Sequence, residues 1–281
     1  MSTIAVIGSI NLDLVATVKK LPAPGETVTD AQLNRFPGGK GANQALAAKR
    51  LGADVRLIGC VGNDASADDA LALLRDGEVD LGGLQVVADA PTGTALIAVA
   101  PSGENHIVVA PGANRSLTPE GLEIPKADAL ICQLEVPTDT VARAAAEFDG
   151  FFCVNLAPAK QVDVTVLQRA DLIIVNELEA AWYGDTLSAC PGMIVTTVGA
   201  AGATITRAGA DIAVARPPRI EAVDTTAAGD TFTAALTVAL VEGQSPQEAL
   251  EFACAAGAAA CTKLGAQPSL PTRDEVLSLG A

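Results

Sequence analysis

The sequence predicts an α/β protein: a three-layer, doubly wound, mostly parallel sheet with a small β-sheet lid. Three observations predict it. Short β-rich runs alternate with helical segments along the chain, the order expected of a parallel sheet covered by helices on both faces. The runs are mostly apolar, as strands buried on both faces are. Two segments, 14–36 and 92–110, break the alternation and carry period-2 patterns of their own, which read as extra strands of a separate small sheet.

Each element follows from its own residues. "TIAVIGSI" (3–10) reads as a strand, and "GANQALAAKRLG" (41–52) as a helix ended by Gly52. "DVRLIGCVG" (54–62) is a strand and "SADDALALLRDG" (66–77) a helix. Strand 127–135, helix 138–148, and strands 151–158, 171–177 and 192–199 continue the pattern. Helices at 230–242, 246–263 and 272–279 close the chain. In the first irregular segment two strands join through Pro22, Pro24 and Gly25; in the second they join at the turn "PSGEN". The 281 residues fit one large domain over 1–281, with 14–36 and 92–110 as its lid and no repeats or linkers.

Composition narrows the function. Hydrophobic residues make up 49% of the chain and aromatics 3%, so Ala, Val, Leu and Ile build the core. A net charge of −15 argues against nucleic acid or an anionic membrane as partner, because both call for basic patches. A nucleotide remains possible, since backbone N–H groups and a metal can bind phosphate. The 6 cysteines form no C-x-x-C pair and there is 1 histidine, which disfavours a zinc site. Free thiols in apolar runs suit a cytoplasmic protein. The N-terminus lacks the basic region of a signal peptide. No apolar run reaches the roughly 18 residues of a membrane span.

Polar residues gather at the ends of the predicted strands: Asn11 and Asp13 after the first, Glu135, Asn155, then Asn176, Glu177 and Glu179. Ligands of open parallel sheets bind beyond the carboxyl ends of strands, so this rim predicts a polar, polyhydroxylated ligand. "GGKGANQA" (38–45) is neither a P-loop nor a dinucleotide fingerprint. Its glycines either let backbone approach a ligand, with Asn43 offering an amide, or make a flexible turn. In "AVDTTAAGDTFTAAL" (222–236), Asp230 is either a plain helix N-cap or a base beside an anion site made by helix N–H groups.

"GGKGANQALAAKRLGADVRLIGCVGND" and "VDTTAAGDTFTAAL" resemble the two signatures of the ribokinase-like (PfkB) carbohydrate kinases. "GSINLDL", "PAPGETV", "PGAN", "QLEVP", "NLAPA", "VNELEA", "TTVGAAGA" and "GAQPSLP" extend the resemblance over nearly the whole chain. It implies ATP-dependent phosphorylation of D-ribose at the 5-hydroxyl, or of another sugar or a nucleoside (fructose, adenosine, pseudouridine). By resemblance Asp230 is the base, and Ala227, Ala228 and Gly229 form the anion hole. Asn11, Asp13, Gly39, Lys40, Asn43 and Glu135 surround the sugar. Asn176, Thr197, Val198, Gly199, Ala200, Ala201, Gly202 and Gly229 hold ATP. Glu179 is linked to Mg²⁺. Asp224, Thr226, Ala260, Lys263, Gly265 and Ser269 form a K⁺ site, largely through carbonyls. The lid also pairs two subunits in the family, implying a homodimer.

Two features depart from the family pattern. The segment from Ala180 to Cys190 is short. Cys254 lies where the adenine pocket is expected, so adenine is held there by apolar contact. A non-catalytic sugar- or nucleotide-binding regulator is the competing reading from another class; the intact Asp230 and the small residues before it argue against it.

Overall fold

The alternating elements resolve into two sheets. The structure is a computed structural model describing residues 1–101 and 104–280. Its first half contains β1 (Thr3–Ile7), β2 (Asn11–Thr17), β3 (Gln32–Gly38), α1 (Lys40–Arg50), β4 (Asp54–Gly62), α2 (Ala65–Asp76), β5 (Asp80–Val87), β6 (Gly93–Val99) and β7 (Asn105–Ala110). The second half adds β8 (Ala129–Gln133), α3 (Thr138–Glu147), β9 (Phe151–Asn155), α4 (Val164–Arg169), β10 (Leu172–Asn176), α5 (Glu177–Tyr183) and β11 (Met193–Thr197). It ends with β12 (Ala203–Arg207), β13 (Ala210–Ala215), α6 (Ala228–Val241), α7 (Pro246–Ala260), α8 (Ala266–Ser269) and α9 (Arg273–Leu279).

Among the described residues the main sheet has nine strands in the order β13-β12-β11-β10-β9-β8-β1-β4-β5. All pairs from β11 to β5 are parallel; β12 and β13 add an antiparallel edge. The faces explain why the strands read as continuous apolar runs. Ile4 and Val6 join one buried cluster, with α1, α2, α6 and α7. Ala5 and Ile7 join the other, with α3 and α4. A period of two thus delivers apolar residues to both helical layers.

The second sheet has the order β3-β2-β6-β7. Its strands fall on the two irregular segments, although Asn11 and Asp13 lie inside β2 rather than in a loop after β1. The predicted first strand, 3–10, ends at Ile7, and residues 8–10 link β1 to β2. Pro37 is tolerated because β3 is an edge strand. The predicted turn at 101–105 includes residues 102 and 103, which lie outside the described residues.

Some elements were not expected. β5, which carries Gly82 and Gly83, pairs with β4 along the edge of the main sheet. β12 and β13 form a hairpin closed by Ala208 (φ 50°) and Gly209 (φ 77°). Two successive left-handed residues suit the right-handed strand twist. The segment after Glu179 is compact: α5 runs into a short 3-10 helix, Gly184–Ala189.

Candidate active site

Four strand ends and two helix starts converge beyond the carboxyl edge of the main sheet. α1 begins the site. Its N-terminus has no side-chain cap of its own; instead Glu135, just past β8, accepts from the Lys40 N–H at 3.1 Å. A carboxylate there complements the helix dipole. The same Glu135 Oε2 accepts from Ser9 Oγ at 2.5 Å. The Lys40 ammonium feels four acids. Burial would pull its ammonium down, but Asp230, Glu135, Glu179 and Asp13 push it above the ordinary lysine range.

Asp230 is not the helix cap. α6 starts at Ala228, and Ala227 stands at the cap position in the left-handed conformation (φ 61°) without a side-chain bond. Asp230 therefore lies in the first turn, buried to 6% exposure. Its carboxylate turns towards α1. Asn43 Nδ2 donates to Oδ2 at 2.9 Å, and Gln44 Nε2 donates to Oδ1 at 3.0 Å. Burial raises its pKa; Lys40 and the two amides oppose that, and Glu135 adds to it. Asn43 Oδ1 is buried without a partner among the described residues.

Asp13 is pushed up to about 7, first by burial, then by Glu135 and Asp230, with Lys40 opposing. Asn11 is fixed by a residue that sequence reasoning left without a role. Asn114 Nδ2 donates to Asn11 Oδ1 at 2.8 Å, while Asn114 Oδ1 accepts from Ile10 N at 2.9 Å. Asn11 thus presents its N–H₂ and can donate to a ligand oxygen. Ser9, Gln44 and Gln133 were missed as well; the pair Asn43-Gln44 in an Ala-rich helix was the available signal.

The glycines of "GGKG" make close protein contacts. A Cβ on Gly41 would lie 2.6 Å from the Gly8 carbonyl carbon and the Ser9 nitrogen. One on Gly39, at φ 88°, would lie 2.7 Å from the Asn11 nitrogen. One on Gly38 would meet the Asp13 carboxylate. By contrast a Cβ on Gly229 would meet nothing within 4 Å. Gly229 is exposed at the start of α6, which has no side-chain cap.

Asn176 and Glu179 form a reciprocal capping box on α5, with both bonds at 2.8 Å. Glu179 is raised by burial, with its backbone bond and Lys40 opposing. Thr197 ends β11, and Val198, Gly199, Ala200, Ala201 and Gly202 turn back into β12. Space around Gly199 is open. Cys254 is buried on α7, its thiol pushed up to about 11 by burial. Asp224 joins two loops: Oδ1 accepts from Thr226 N and Oγ1, and Oδ2 accepts from Gly265 N at 2.9 Å. Lys263 Nζ points to Glu275 at 2.7 Å. Ser269 Oγ donates to Ala266, at 2.8 Å.

Asp13 offers a test of this electrostatics. Its raised pKa means that the folded state holds its proton between about pH 4 and pH 7, so its stabilising contribution is lost as pH rises through 7. Asp13→Asn should raise the melting temperature by several degrees at pH 8 and by much less at pH 5. Equal gains at both pH values would contradict the buried-carboxylate reading.

An open sheet, a helix start without a side-chain cap, and a ring of carboxylates and amides suited to hydroxyls define a carbohydrate kinase. The chain belongs to the pfkB family: the model described as pfkB family carbohydrate kinase matches residues 1–273. Ribokinase of Bacillus subtilis (strain 168) is 38% identical to it over 293 residues, covering 99% of both chains. The crystal structure of ribokinase from Thermotoga maritima has a TM-score of 0.91 at 34% identity, covering 99% of each chain. Arabidopsis thaliana ribokinase complexed with ribose and ATP has a TM-score of 0.87 at 29% identity, covering 99% of this chain and 98% of that one.

Proposed function

We propose that the chain transfers the terminal phosphoryl group of ATP to the 5-hydroxyl of D-ribose, giving D-ribose 5-phosphate. One observation carries the reading: a buried Asp230 carboxylate, held by Asn43 and Gln44, beside an uncapped helix start. Asp230 takes the hydroxyl proton as the oxygen attacks phosphorus. N–H groups at Ala227, Ala228 and Gly229 stabilise charge on the transferring oxygens. Asp13 and Glu135 accept from sugar hydroxyls, Asn11 and Asn43 give or accept a bond each, and Lys40 balances the acids, with Gly39 setting its position.

ATP would lie along Asn176, Thr197, Val198, Gly199, Ala200, Ala201, Gly202 and Gly229, its base near Cys254; the open space at Gly199 and Gly229 fits it. Among the described residues no group of three His, Cys, Asp or Glu could hold a metal. That suits Mg²⁺, which is commonly carried by substrate phosphates with one or two carboxylates; Glu179 is the proposed link. Carbonyls at Asp224, Thr226, Ala260, Lys263, Gly265 and Ser269 would hold K⁺. The Asp224 bonds to Thr226 and Gly265 support this by bringing their two loops together. An ion held there would supply positive charge near the start of α6.

The second sheet is the proposed lid, excluding water when sugar binds. All six residues of β7 are exposed, including Ile107, Val108 and Val109. An exposed apolar edge strand supports pairing with a second copy, hence a homodimer. Among the described residues no helix is long and apolar enough to cross a membrane. The 6 cysteines are free, which supports a cytoplasmic location.

ADP release from ATP tests the reading, with D-ribose, fructose, adenosine and pseudouridine each assayed with and without K⁺. D-ribose should give the highest kcat/KM, and K⁺ should raise its rate. Preference for a nucleoside would overturn the substrate, and no turnover of any would overturn the kinase.

A further inference from the structure

A chain of amides stands behind Asp230, out of reach of solvent. Gln44 and Gln133 are each 0% exposed, so neither touches a ligand. Gln44 Nε2 donates to Asp230 Oδ1 at 3.0 Å and to Asn155 Oδ1 at 3.3 Å. Gln133 Nε2 donates to Gln44 Oε1 at 2.6 Å. Asn155 Nδ2 is in turn tied to the Ile174 carbonyl at 3.2 Å. The polarity of the chain is determined. An acid can only accept when ionised, so Gln44 must offer nitrogen to it, and its oxygen then requires the donor that Gln133 supplies. Two strands of the sheet, β8 and β9, thereby fix the rotamer of a residue on α1, which in turn fixes a residue on α6.

We propose that Gln44 is a positioning residue for phosphoryl transfer: through its bond to Oδ1 it holds Asp230 in the orientation and charge state in which it accepts a proton, and Gln133 orients it. This rests on the reading of Asp230 as the base. The charged groups facing Asp230 are Lys40 on α1, Glu135 beyond β8 and Asp13 on β2. Lys40 favours the carboxylate, while Glu135 and Asp13 oppose it. Burial opposes it most, and the donors on the two oxygens join Lys40 in offsetting that penalty. Gln44 is 0% exposed, so its bond to Asp230 lies out of a ligand's reach.

The test is the pH profile of the single-turnover rate with D-ribose and ATP, for the parent, Gln44→Met and Asp230→Asn. Loss of one N–H donor to an ionised acid should move the acid limb of Gln44→Met up by about one pH unit. On the acid limb its rate should fall on the order of tenfold, and on the plateau above the limb it should recover to within about threefold of the parent. KM for the sugar should change little. Gln44→Met strands the Gln133 amide, so Gln44→Met/Gln133→Met, which removes both polar groups, must show the same shift with a melting temperature near the parent's. A rate lowered equally at every pH, or a changed KM with an unmoved limb, overturns the proposal. Near-full activity of Asp230→Asn overturns the base assignment instead. The two failures are therefore read from different variants.

Discussion

Asp230→Asn keeps its fold and loses turnover by on the order of 10²–10⁴-fold, the contribution typical of a general base. The substitution preserves shape but reverses the polarity of one atom. Asn43 and Gln44 each donate to one Asp230 oxygen; an asparagine offers only one acceptor, so one donor must turn away. The stability cost is small, because the change also removes a buried charge whose ionised form burial disfavours. Sugar affinity should hold to within a few-fold, since Asp13, Asn43 and Glu135 remain. The signature is a collapse of kcat with KM nearly unchanged, together with loss of the acid limb in the pH profile. Steady-state ADP release and calorimetric titration of D-ribose separate the two. Retention of near-full kcat would remove Asp230 from the chemistry.

How much of this was legible in the sequence depends on the range of the interaction that fixes each feature. β1, β4, β8, β9 and β10 were legible because burial on both faces writes continuous apolar runs. The β12–β13 hairpin was not read, because its turn is set by Ala208, whose left-handed conformation its residue type does not announce. β5 was hidden by Gly82 and Gly83, which the edge of the sheet accommodates. The rim of carboxylates was legible from strand ends, yet Asn11 and Asp13 reach it from the second sheet. Asp230 read as a possible cap because Asp favours that position, but α6 begins two residues earlier. That Asn43 and Gln44 hold it could not be read: Gln44 and Asp230 lie 186 residues apart, and only the crossing of α1 and α6 brings them together. Local chemistry marks the groups that react, while the groups that orient them are set by tertiary contact.

Gly41→Ala should lower both stability and rate, and it separates two readings of "GGKG". If the glycines only make a flexible turn, one added methyl is harmless. In the structure a Cβ there would stand 2.6 Å from Gly8 C and Ser9 N and 2.7 Å from Gly8 Cα. All three are backbone atoms, so no side chain can swing aside. The start of α1 must move off residues 8–10, taking Lys40, Asn43 and Gln44 with it. Overpacking of this kind costs typically about 1–3 kcal/mol, and the melting temperature should fall by about 2–10 °C. A shift near 1 Å in the groups around Asp230 costs on the order of 10²-fold in rate. Gly280→Ala is the control: its nearest contacts are 3.7 and 3.8 Å, and its backbone is αR at φ −87°, so it should change neither quantity measurably. Gly39→Ala, which adds backbone strain at φ 88° to a 2.7 Å contact, should be at least as severe as Gly41→Ala. If both site variants melt and turn over like Gly280→Ala, the glycines are not what seats α1 against the sugar-side strand.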